Sequence, residues 1–340
     1  MKALAGLRVI DLTQAMAAPF CSMNLADMGA DVIKVEPPTG EDMRRGSAAR
    51  HGHSGTFLTI NRSKRGITVD LKQPAGVEII HRLVKTADVF VQNYRPGAAR
   101  RLGVDYETLK ALNPRLIYCS ISGFGATGPY AGRGGYDLIA QGMSGIISVT
   151  GDEDGPPAKA GLPVSDLGAG LFGAYGILCA LEYRERTGEG QLVDTSLLEA
   201  AMALTVWEAT EYWVTGRAPR PLDRMRHRDA LIAEIEKTTA AQTRAHWLTR
   251  LDAAGVPSGP INTYPEALAD PHAVAREMIV DLVHPGAGPI KALGVPVKLS
   301  DTPGAVERAA PLLGQDNADV LTELGYSEAE QRTLKDKGVI

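Results

Sequence analysis

A single aspartate in a turn marked by glycine and proline has the surroundings best suited to covalent chemistry in this 340-residue chain. Residues 161–168 read Gly-Leu-Pro-Val-Ser-Asp-Leu-Gly and place Asp166 at the start of an apolar helix predicted over residues 166–186. Ser and Asp are common helix N-caps, so capping is the ordinary function of such a pair. A carboxylate near a helix N-terminus also lies in a positive field that favours its ionised form. Because an ionised carboxylate can attack an activated acyl group, Asp166 is a candidate both for cap and for nucleophile.

Cations near the ends of predicted strands indicate a ligand that carries phosphate. Three of them lie within residues 62–65, Lys72 follows one strand, and Arg95 and Arg101 follow another. Each is by default a solvated surface charge, and the cations at 62–65 could form a lattice of surface pairs. Guanidinium and ammonium groups at ligand-side loops are nevertheless the usual partners of phosphates. Lys72 and Arg101 are the better candidates.

Other chemistries find little support in the sequence. The seven histidines show no metal spacing, and no GxSxG turn or Cys-His pairing stands out, so we expect neither a metal centre nor serine or cysteine hydrolysis. A net charge of −4 and 5% aromatic residues give no reason to expect nucleic acid or a membrane as partner. Three widely spaced cysteines and an N-terminus unlike a signal peptide favour the cytoplasm.

The candidate residues must be positioned by alternating strands and helices, which indicate an α/β fold with a doubly wound, Rossmann-like parallel sheet. Ligands of such sheets bind beyond the carboxyl ends of the strands, which here are residues 11–17, 72, 93–95 and 120–125. No GxGxxG turn follows the first strand, so a dinucleotide is not expected. The strands are predicted at 7–12, 32–36, 67–71, 89–93, 116–121 and 191–194, and the first helices at 19–28, 74–86 and 106–112.

The second half of the chain is predicted to be mainly helical, apart from short strands near 279–283 and 290–293. A helix over 137–147 begins with Asp137 as its cap, and one long helix covers 197–214. The many small residues at 166–186 predict very close packing of that helix against another element. A basic, proline-broken segment at 217–222 marks a domain boundary.

Several segments together resemble the class III CoA-transferases, the CaiB/BaiF group, over nearly the whole chain. They include Leu-Ala-Asp-Met-Gly-Ala-Asp-Val-Ile-Lys-Val-Glu at 25–36, Asn-Arg-Ser-Lys-Arg at 61–65 and Val-Gln-Asn-Tyr-Arg-Pro-Gly at 91–97. Further similar segments are Ile-Ser-Gly-Phe-Gly at 121–125, Gly-Tyr-Asp at 135–137, residues 161–166, Gly-Glu-Gly-Gln-Leu-Val-Asp at 188–194 and residues 255–260 and 310–314.

The resemblance implies an enzyme that moves coenzyme A from an acyl-CoA donor to a small carboxylic acid, with acyl-CoA as substrate and no tightly bound cofactor. Asp166 stands where the family's nucleophilic aspartate belongs, and it would form a mixed anhydride and then an aspartyl-CoA thioester. The family also implies an interlocked homodimer. Its CoA-contact positions map onto Met16, Ala17, Val69, Asp70, Leu71, Lys72, Asn93, Tyr94, Arg95, Arg101 and Tyr136.

The family resemblance also predicts the domain organisation. Residues 1–200 form a large CoA-binding domain, 201–225 a helical linker, 226–300 a smaller α+β domain, and 301–340 a helical segment that returns to the large domain. The family usually has several tens more residues after the helix that ends near Arg217, so the small domain is expected to be shortened. A proline pair at 37–38 replaces an arginine of a well-studied branch, which leaves the adenine contact open.

Two alternatives to CoA transfer stay open at this point. The α-methylacyl-CoA racemase branch uses a histidine and an aspartate for proton exchange, but no histidine lies between His81 and His227, which favours the transferase. The shortened middle would also fit a catalytically impaired protein that only binds acyl-CoA.

Overall fold

A six-stranded parallel sheet organises the structure and places the predicted ligand loops at one edge. The computed structural model describes residues 1–46, 49–152, 155–219 and 228–340. The sheet strands are β1 (Arg8–Leu12), β2 (Asp31–Glu36), β5 (Arg65–Thr68), β6 (Val89–Gln92), β7 (Ile117–Ser122) and β8 (Leu192–Ser196). Their order is β5-β2-β1-β6-β7-β8, and every neighbouring pair is parallel. The order reverses between β1 and β6, which is where a doubly wound sheet opens a crevice for ligands.

The remaining elements follow the chain. Two-stranded pairings are formed by β3 (Ala49–Arg50) with β4 (His53–Ser54) and by β9 (Ile279–His284) with β10 (Gly288–Leu293). The helices are α1 (Ala17–Asp27), α2 (Gly55–Ile60), α3 (Pro74–Lys85), α4 (Ala98–Arg101), α5 (Tyr106–Leu112), α6 (Asp137–Met143), α7 (Val164–Thr187), α8 (Leu197–Leu204), α9 (Val206–Thr215), α10 (Arg228–Thr239), α11 (Arg244–Ala253), α12 (Tyr264–Leu268), α13 (Pro271–Ala275), α14 (Asn317–Glu323) and α15 (Glu328–Asp336).

Helices cover both faces of the sheet, because successive strand residues point to opposite sides. Val9 faces the core formed with α1, α7 and α8, whereas its neighbour Ile10 faces the core formed with α3, α5, α14 and α15. Val32 and Ile33 divide in the same way on β2. This confirms the predicted α/β class and doubly wound sheet.

Helix α7 packs against α1 at backbone distance, as its small residues predict. A Cβ atom at Gly170 would lie 2.5 Å from the Ala17 carbonyl oxygen, and one at Gly173 would lie 3.3 Å from the Cys21 sulfur. By length and hydropathy alone α7 could also cross a bilayer. Its residues Ala169 and Ile177 are fully buried against the sheet, however, and a core helix meets the same criterion.

The C-terminal segment covers the edge strand β5. Asp316 accepts a hydrogen bond from the Gly66 nitrogen at 2.7 Å, and its own nitrogen donates to the Gly66 carbonyl at 2.9 Å. Asn317 accepts from the Thr68 nitrogen at 2.8 Å. Covering an edge strand removes a row of unpaired backbone groups that could otherwise pair with another chain.

Three predicted elements differ from the observed ones: one helix is divided, and one strand and one helix end early. The helix predicted over 197–214 is divided at Thr205, whose hydroxyl donates to the Met202 carbonyl and so competes with helical bonding. Strand β5 ends at Thr68 because its partner β2 runs into a proline, and the Asp70 nitrogen instead donates to the Val339 carbonyl. Helix α6 ends at Met143 and is followed by a 3₁₀ turn, Ile146–Val149.

Part of the predicted boundary after Arg217 falls on residues 220–227, which lie outside the described residues. The hairpin of β9 and β10 contacts the large domain: Ala287 is buried with Phe57 and Leu58 of α2. The boundaries predicted at 200, 225 and 300 stay predictions.

Candidate active site

Asp166 lies in the first turn of α7 without capping it. The N-cap position is Pro163, which has no capping side chain. The cap comes from Asp137, whose Oδ1 accepts from the nitrogens of Ser165 at 2.9 Å and Asp166 at 3.4 Å. The prediction that Asp166 is a cap is therefore wrong. So is the prediction that Asp137 caps its own helix, because its carboxylate is turned towards α7.

Burial and the neighbouring Asp137 carboxylate raise the pKa of Asp166 to about 6. The sequence predicted the opposite direction, because a helix N-terminus favours the ionised form. Removal from water and a like charge outweigh that field here. Asp166 is still largely ionised at neutral pH, and its raised pKa makes it a more basic nucleophile than an exposed aspartate.

A cavity of ≈ 420 Å³ opens in front of Asp166 at the carboxyl ends of β1, β6 and β7. It contains seven of the predicted site residues, which are Met16, Ala17, Asn93, Tyr94, Arg95, Tyr136 and Asp166. The structure therefore brings together side chains that the sequence spreads over 150 positions. The other lining residues include Gln14, Ala15, Glu41, Asp42, Met43, Ser122, Arg133, Gly134 and Gly135.

The loop after β1 forms one wall of this cavity and is held on both sides. Asn93 accepts from the Gln14 nitrogen at 2.9 Å and donates to the Gln14 carbonyl at 2.7 Å. Ala15 has a left-handed backbone with a φ of 67°, which is strained for a residue with a Cβ atom. Glu41 supports it by accepting from the Ala15 nitrogen at 3.0 Å. Reasoning from sequence missed Glu41, because an acidic residue after a Pro-Pro-Thr-Gly turn carries no distinctive signal.

A second cavity of ≈ 170 Å³ lies beside the first and holds the predicted residues Val69, Asp70, Leu71 and Lys72. Gln14, Glu41 and Tyr94 line both cavities, so the two are neighbours along the sheet edge. Burial raises the pKa of Tyr94 to about 12, and its hydroxyl therefore stays protonated. Together the cavities offer an elongated path from Asp166 to Lys72.

Arg101 is the one predicted site residue that lines neither of these cavities. Its side chain is exposed on α4, although the next residue, Leu102, lines the second cavity. Arg101 therefore lies at the rim of the path.

Buried ion pairs lie behind the loops that line the cavity and hold them in position. Lys64 is fully buried and lies 2.8 Å from Asp11 on β1, while the equally buried Lys34 lies 2.9 Å from Glu41. Burial alone would raise the pKa of Asp11, but the two ammonium groups outweigh it and lower the pKa to about 2. Lys34 also donates to the Thr13 carbonyl at 2.9 Å and so fixes the start of the cavity wall.

Two of the cations at 62–65, Arg62 and Lys64, are buried, which corrects the expectation of solvated charges, whereas Arg65 belongs to a network of surface pairs, as the sequence allowed. Arg62 is buried and pairs with Asp27 at 2.7 Å, and Lys64 is enclosed as described. Arg65 is partly buried and pairs with Asp31 and Glu323, both at 2.6 Å. These residues bind protein carboxylates rather than a ligand phosphate.

No group of three or more metal-binding side chains occurs among the residues that the structure describes. His53 instead packs against His284, with ring centroids 4.8 Å apart.

The whole chain is similar to known CoA-transferases. A family model described as CoA-transferase family III matches residues 4–224 and 220–317. The chain is 37% identical to the Succinate--glutarate CoA-transferase of Agrobacterium fabrum over 381 aligned positions, which cover 94% of this chain and 95% of that protein. It is 35% identical to the Succinyl-CoA--D-citramalate CoA-transferase of Chloroflexus aurantiacus, with 99% of this chain and 98% of that protein covered.

A solved structure agrees with these relatives. The crystal structure of a CAIB/BAIF family protein from Brucella suis superimposes with a TM-score of 0.85 at 34% identity, covering 95% of this chain and 99% of that one.

The alignments also contain positions that this chain lacks. The two pieces of the family match meet at residues 220–224. In the alignment with the Agrobacterium protein, 94% of 340 residues occupy 381 positions, so about 60 positions lie opposite no residue of this chain.

The sequence resemblance is confirmed, and the chain belongs to CoA-transferase family III, whose members are transferase enzymes.

Proposed function

We propose that this protein transfers coenzyme A from an acyl-CoA to a carboxylic acid through covalent intermediates on Asp166. The observation that carries the proposal is the position of Asp166: a half-buried carboxylate with a raised pKa faces a cavity that continues towards Lys72. A carboxylate nucleophile needs an ionised oxygen that is open to the thioester, and Asp166 fulfils both conditions at neutral pH.

The reaction proceeds in four steps, and each step forms one bond at an acyl carbon and breaks another. The Asp166 carboxylate attacks the donor thioester, and the C–S bond breaks. The CoA thiolate is released, and the donor acyl group stays on Asp166 as a mixed anhydride. The thiolate then attacks the aspartyl carbonyl of the anhydride, which releases the donor acid and leaves an aspartyl-CoA thioester. The acceptor carboxylate attacks this thioester and expels the thiolate. In the last step the thiolate attacks the acceptor acyl carbon of the new anhydride, which forms the product and frees Asp166.

The two cavities support a binding path for coenzyme A, with its thioester at Asp166 and its nucleotide end at residues 69–72. Lys72 lies at the far end as a cation without a carboxylate partner among the described residues, and Arg101 lies at the rim. Both suit phosphate groups. Met16 and Ala17 begin α1 at the centre of the path, where small or flexible side chains let the thioester approach.

The acceptor is proposed to be a dicarboxylic acid. The relatives described above are named for reactions of succinate, glutarate and citramalate, each of which carries two carboxyl groups. The cavity in front of Asp166 contains two arginines, Arg95 and Arg133, which suit a carboxylate that does not react.

A homodimer is proposed from exposed apolar side chains on adjacent helices. Tyr175 of α7, Met202 of α8, and Trp213 and Val214 of α9 are all more than half exposed. Soluble monomers rarely leave so much apolar surface in water. Light scattering should show a dimer for the wild type and a monomer for Trp213→Glu. A wild-type monomer at micromolar concentration contradicts this part of the proposal.

The covalent step is tested by trapping. Incubation with succinyl-CoA and hydroxylamine should convert Asp166 into a hydroxamate that peptide mass spectrometry locates. Asp166→Ala should give no hydroxamate and no transfer, whereas Asp281→Asn, a change of an exposed aspartate on β9, should keep both. Full transfer by Asp166→Ala overturns the proposal. Exchange of the α-proton in D₂O without movement of CoA would instead support the racemase alternative.

A further inference from the structure

The glycine-rich loop between β7 and α6 is closed at its base. A Cβ atom at Gly123 would lie 2.7 Å from both the Cα and the nitrogen of Gly135, so the two ends of the loop are in backbone contact. Residues 124–134 therefore leave the sheet and return at almost the same point. Within this loop, the Arg133 nitrogen donates to the Tyr130 carbonyl at 2.9 Å.

Two aromatic rings hold the Arg133 guanidinium. Its central carbon lies 4.8 Å from the ring centre of Tyr130 and 5.4 Å from that of Phe124. The two rings contact each other edge to face at 5.6 Å. A ring face attracts a cation without neutralising its charge and leaves the N–H groups along the guanidinium edge free to donate.

Arg133 differs in this respect from two other arginines that lie over aromatic rings, Arg44 and Arg82. Arg44 lies 3.8 Å from the Phe57 ring centre and pairs with Glu36, and Arg82 lies 4.5 Å from the Tyr326 ring centre and pairs with Glu78. Within the described part of the chain, no carboxylate forms an ion pair with Arg133. Its side chain is exposed, and its positive charge is available to a ligand.

The other lining arginine, Arg95, comes near the same loop, since a Cβ atom at Gly134 would lie 4.0 Å from its Nε. Arg95 follows Tyr94, which also lines the second cavity, and so lies on the path proposed for coenzyme A. Arg133 lies beside Gly134 and Gly135, on the loop that leads into α6 and to Asp137. Arg133 and Asp166 line the same cavity, so an acid bound there can face both.

We infer that Arg133 binds the second, unreactive carboxylate of a dicarboxylic acid whose first carboxylate reacts at Asp166. The inference rests on the proposed function and assigns its acceptor-binding residue. A guanidinium binds a carboxylate through two parallel N–H donors, which fixes the orientation of the acid as well as its affinity. A monocarboxylic acid of equal length leaves this guanidinium unpaired and gains nothing from it.

The test compares glutarate with pentanoate, which has the same chain length and one carboxylate fewer. Calorimetry gives the dissociation constant of each acid without turnover. Coupled assays give kcat/KM for each acid, with acetyl-CoA as donor because its acyl group has no second carboxylate. For Arg133→Met we expect both measures to weaken for glutarate by about 10- to 100-fold and to stay within about twofold for pentanoate. For Arg133→Lys we expect a loss for glutarate that is smaller than that of Arg133→Met, because lysine keeps the positive charge but cannot donate two parallel hydrogen bonds.

The matched control is Arg82→Met, which also removes an arginine from a ring face but lies outside the cavity. It should leave the preference for glutarate unchanged. An Arg133→Met protein that loses both acids equally, or neither, overturns the inference, and so does a wild type that binds glutarate no better than pentanoate. Failure of the proposed function looks different: glutarate then binds in a manner that depends on Arg133, while Asp166 is never labelled and no CoA moves.

Discussion

The Asp137 carboxylate accepts a hydrogen bond from the backbone nitrogen of Asp166 at 3.4 Å, so one acidic residue holds the helix turn that carries the other. The same oxygen bonds the Ser165 nitrogen at 2.9 Å, and Gln141 donates to the second oxygen at 2.6 Å. Support and electrostatic perturbation therefore come from a single group. Asp137 fixes the backbone of the nucleophile and, by its charge, contributes to the raised pKa of Asp166.

The first prediction separates these two effects of Asp137. Asp137→Asn keeps an oxygen that can cap Ser165 but removes the negative charge, so the pKa of Asp166 should fall below its present value of about 6. The acid limb of kcat/KM should then move to lower pH by less than about one unit, because burial is the larger cause of the shift. Asp137→Ala should lose activity at every pH because it also removes the cap. An acid limb that does not move in Asp137→Asn contradicts the electrostatic role.

The second prediction is that the nucleophile destabilises the fold. The pKa of Asp166 is raised from 3.8 to about 6, so its favourable contribution exists below pH 3.8 and is lost as the pH rises through 6. Asp166→Asn should therefore raise the free energy of unfolding at pH 7.5 by about 1 to 3 kcal/mol while transfer falls at least about 1,000-fold. Thermal unfolding of both proteins at pH 7.5 and pH 4 measures this gain in stability. The gain should disappear at pH 4, and a gain of equal size at both values would indicate another cause.

The third prediction concerns the buried pair below the site. Lys64→Met leaves the Asp11 carboxylate without its partner at 2.8 Å and should cost about 3 to 5 kcal/mol in denaturant unfolding. The lowered pKa of Asp11 stabilises the fold above pH 3.8, and this contribution is lost as the pH falls through about 2. The double variant with Asp11→Asn should recover part of the loss. Lys291→Met, which breaks an exposed pair with Asp281, should change stability by less than about 1 kcal/mol.

The fourth prediction tests the far end of the CoA path. A Cβ atom at Gly76 would lie 2.1 Å from the Asp70 carbonyl oxygen, so Gly76→Ala must push the loop that lines the second cavity. The KM for acyl-CoA should rise by about tenfold with a smaller effect on kcat, because the reacting groups at Asp166 do not move. Gly259→Ala is the control, since a Cβ atom there has no neighbour within 4 Å. Equal losses in both variants would contradict the assignment of this loop.

Local sequence signals were sufficient to predict the sheet and most of the cavity. The strand runs around Val9, Val32 and Val89 alternate with helices, and this alternation implies a doubly wound sheet whose carboxyl ends face one crevice. Residues at those ends, such as Asn93 and Arg95, do line the cavity. The resemblance to the family contributed Tyr136 and connected Asp166, already a candidate from its own turn, to these loops.

What the sequence could not reveal is which charges neutralise each other. Lys64 meets Asp11 across 53 positions of the chain and Arg65 meets Glu323 across 258, so no local pattern separates them from surface cations. For the same reason the pKa of Asp166 was predicted in the wrong direction: the field of its own helix is a local property, whereas burial and Asp137 depend on the tertiary fold.

The cover that residues 316–317 form over β5 is synthesised long after the last strand of the sheet, β8. Gly66 obtains its hydrogen bonds from Asp316, 250 residues later in the chain. At about 5 to 20 residues per second, a ribosome needs roughly 12 to 50 seconds to make that stretch. During this interval the edge of β5 is exposed to other strands, and the adjoining loop that carries Asp70 lacks its contact with Val339. This edge therefore obtains its protection later than the early position of β5 in the chain suggests.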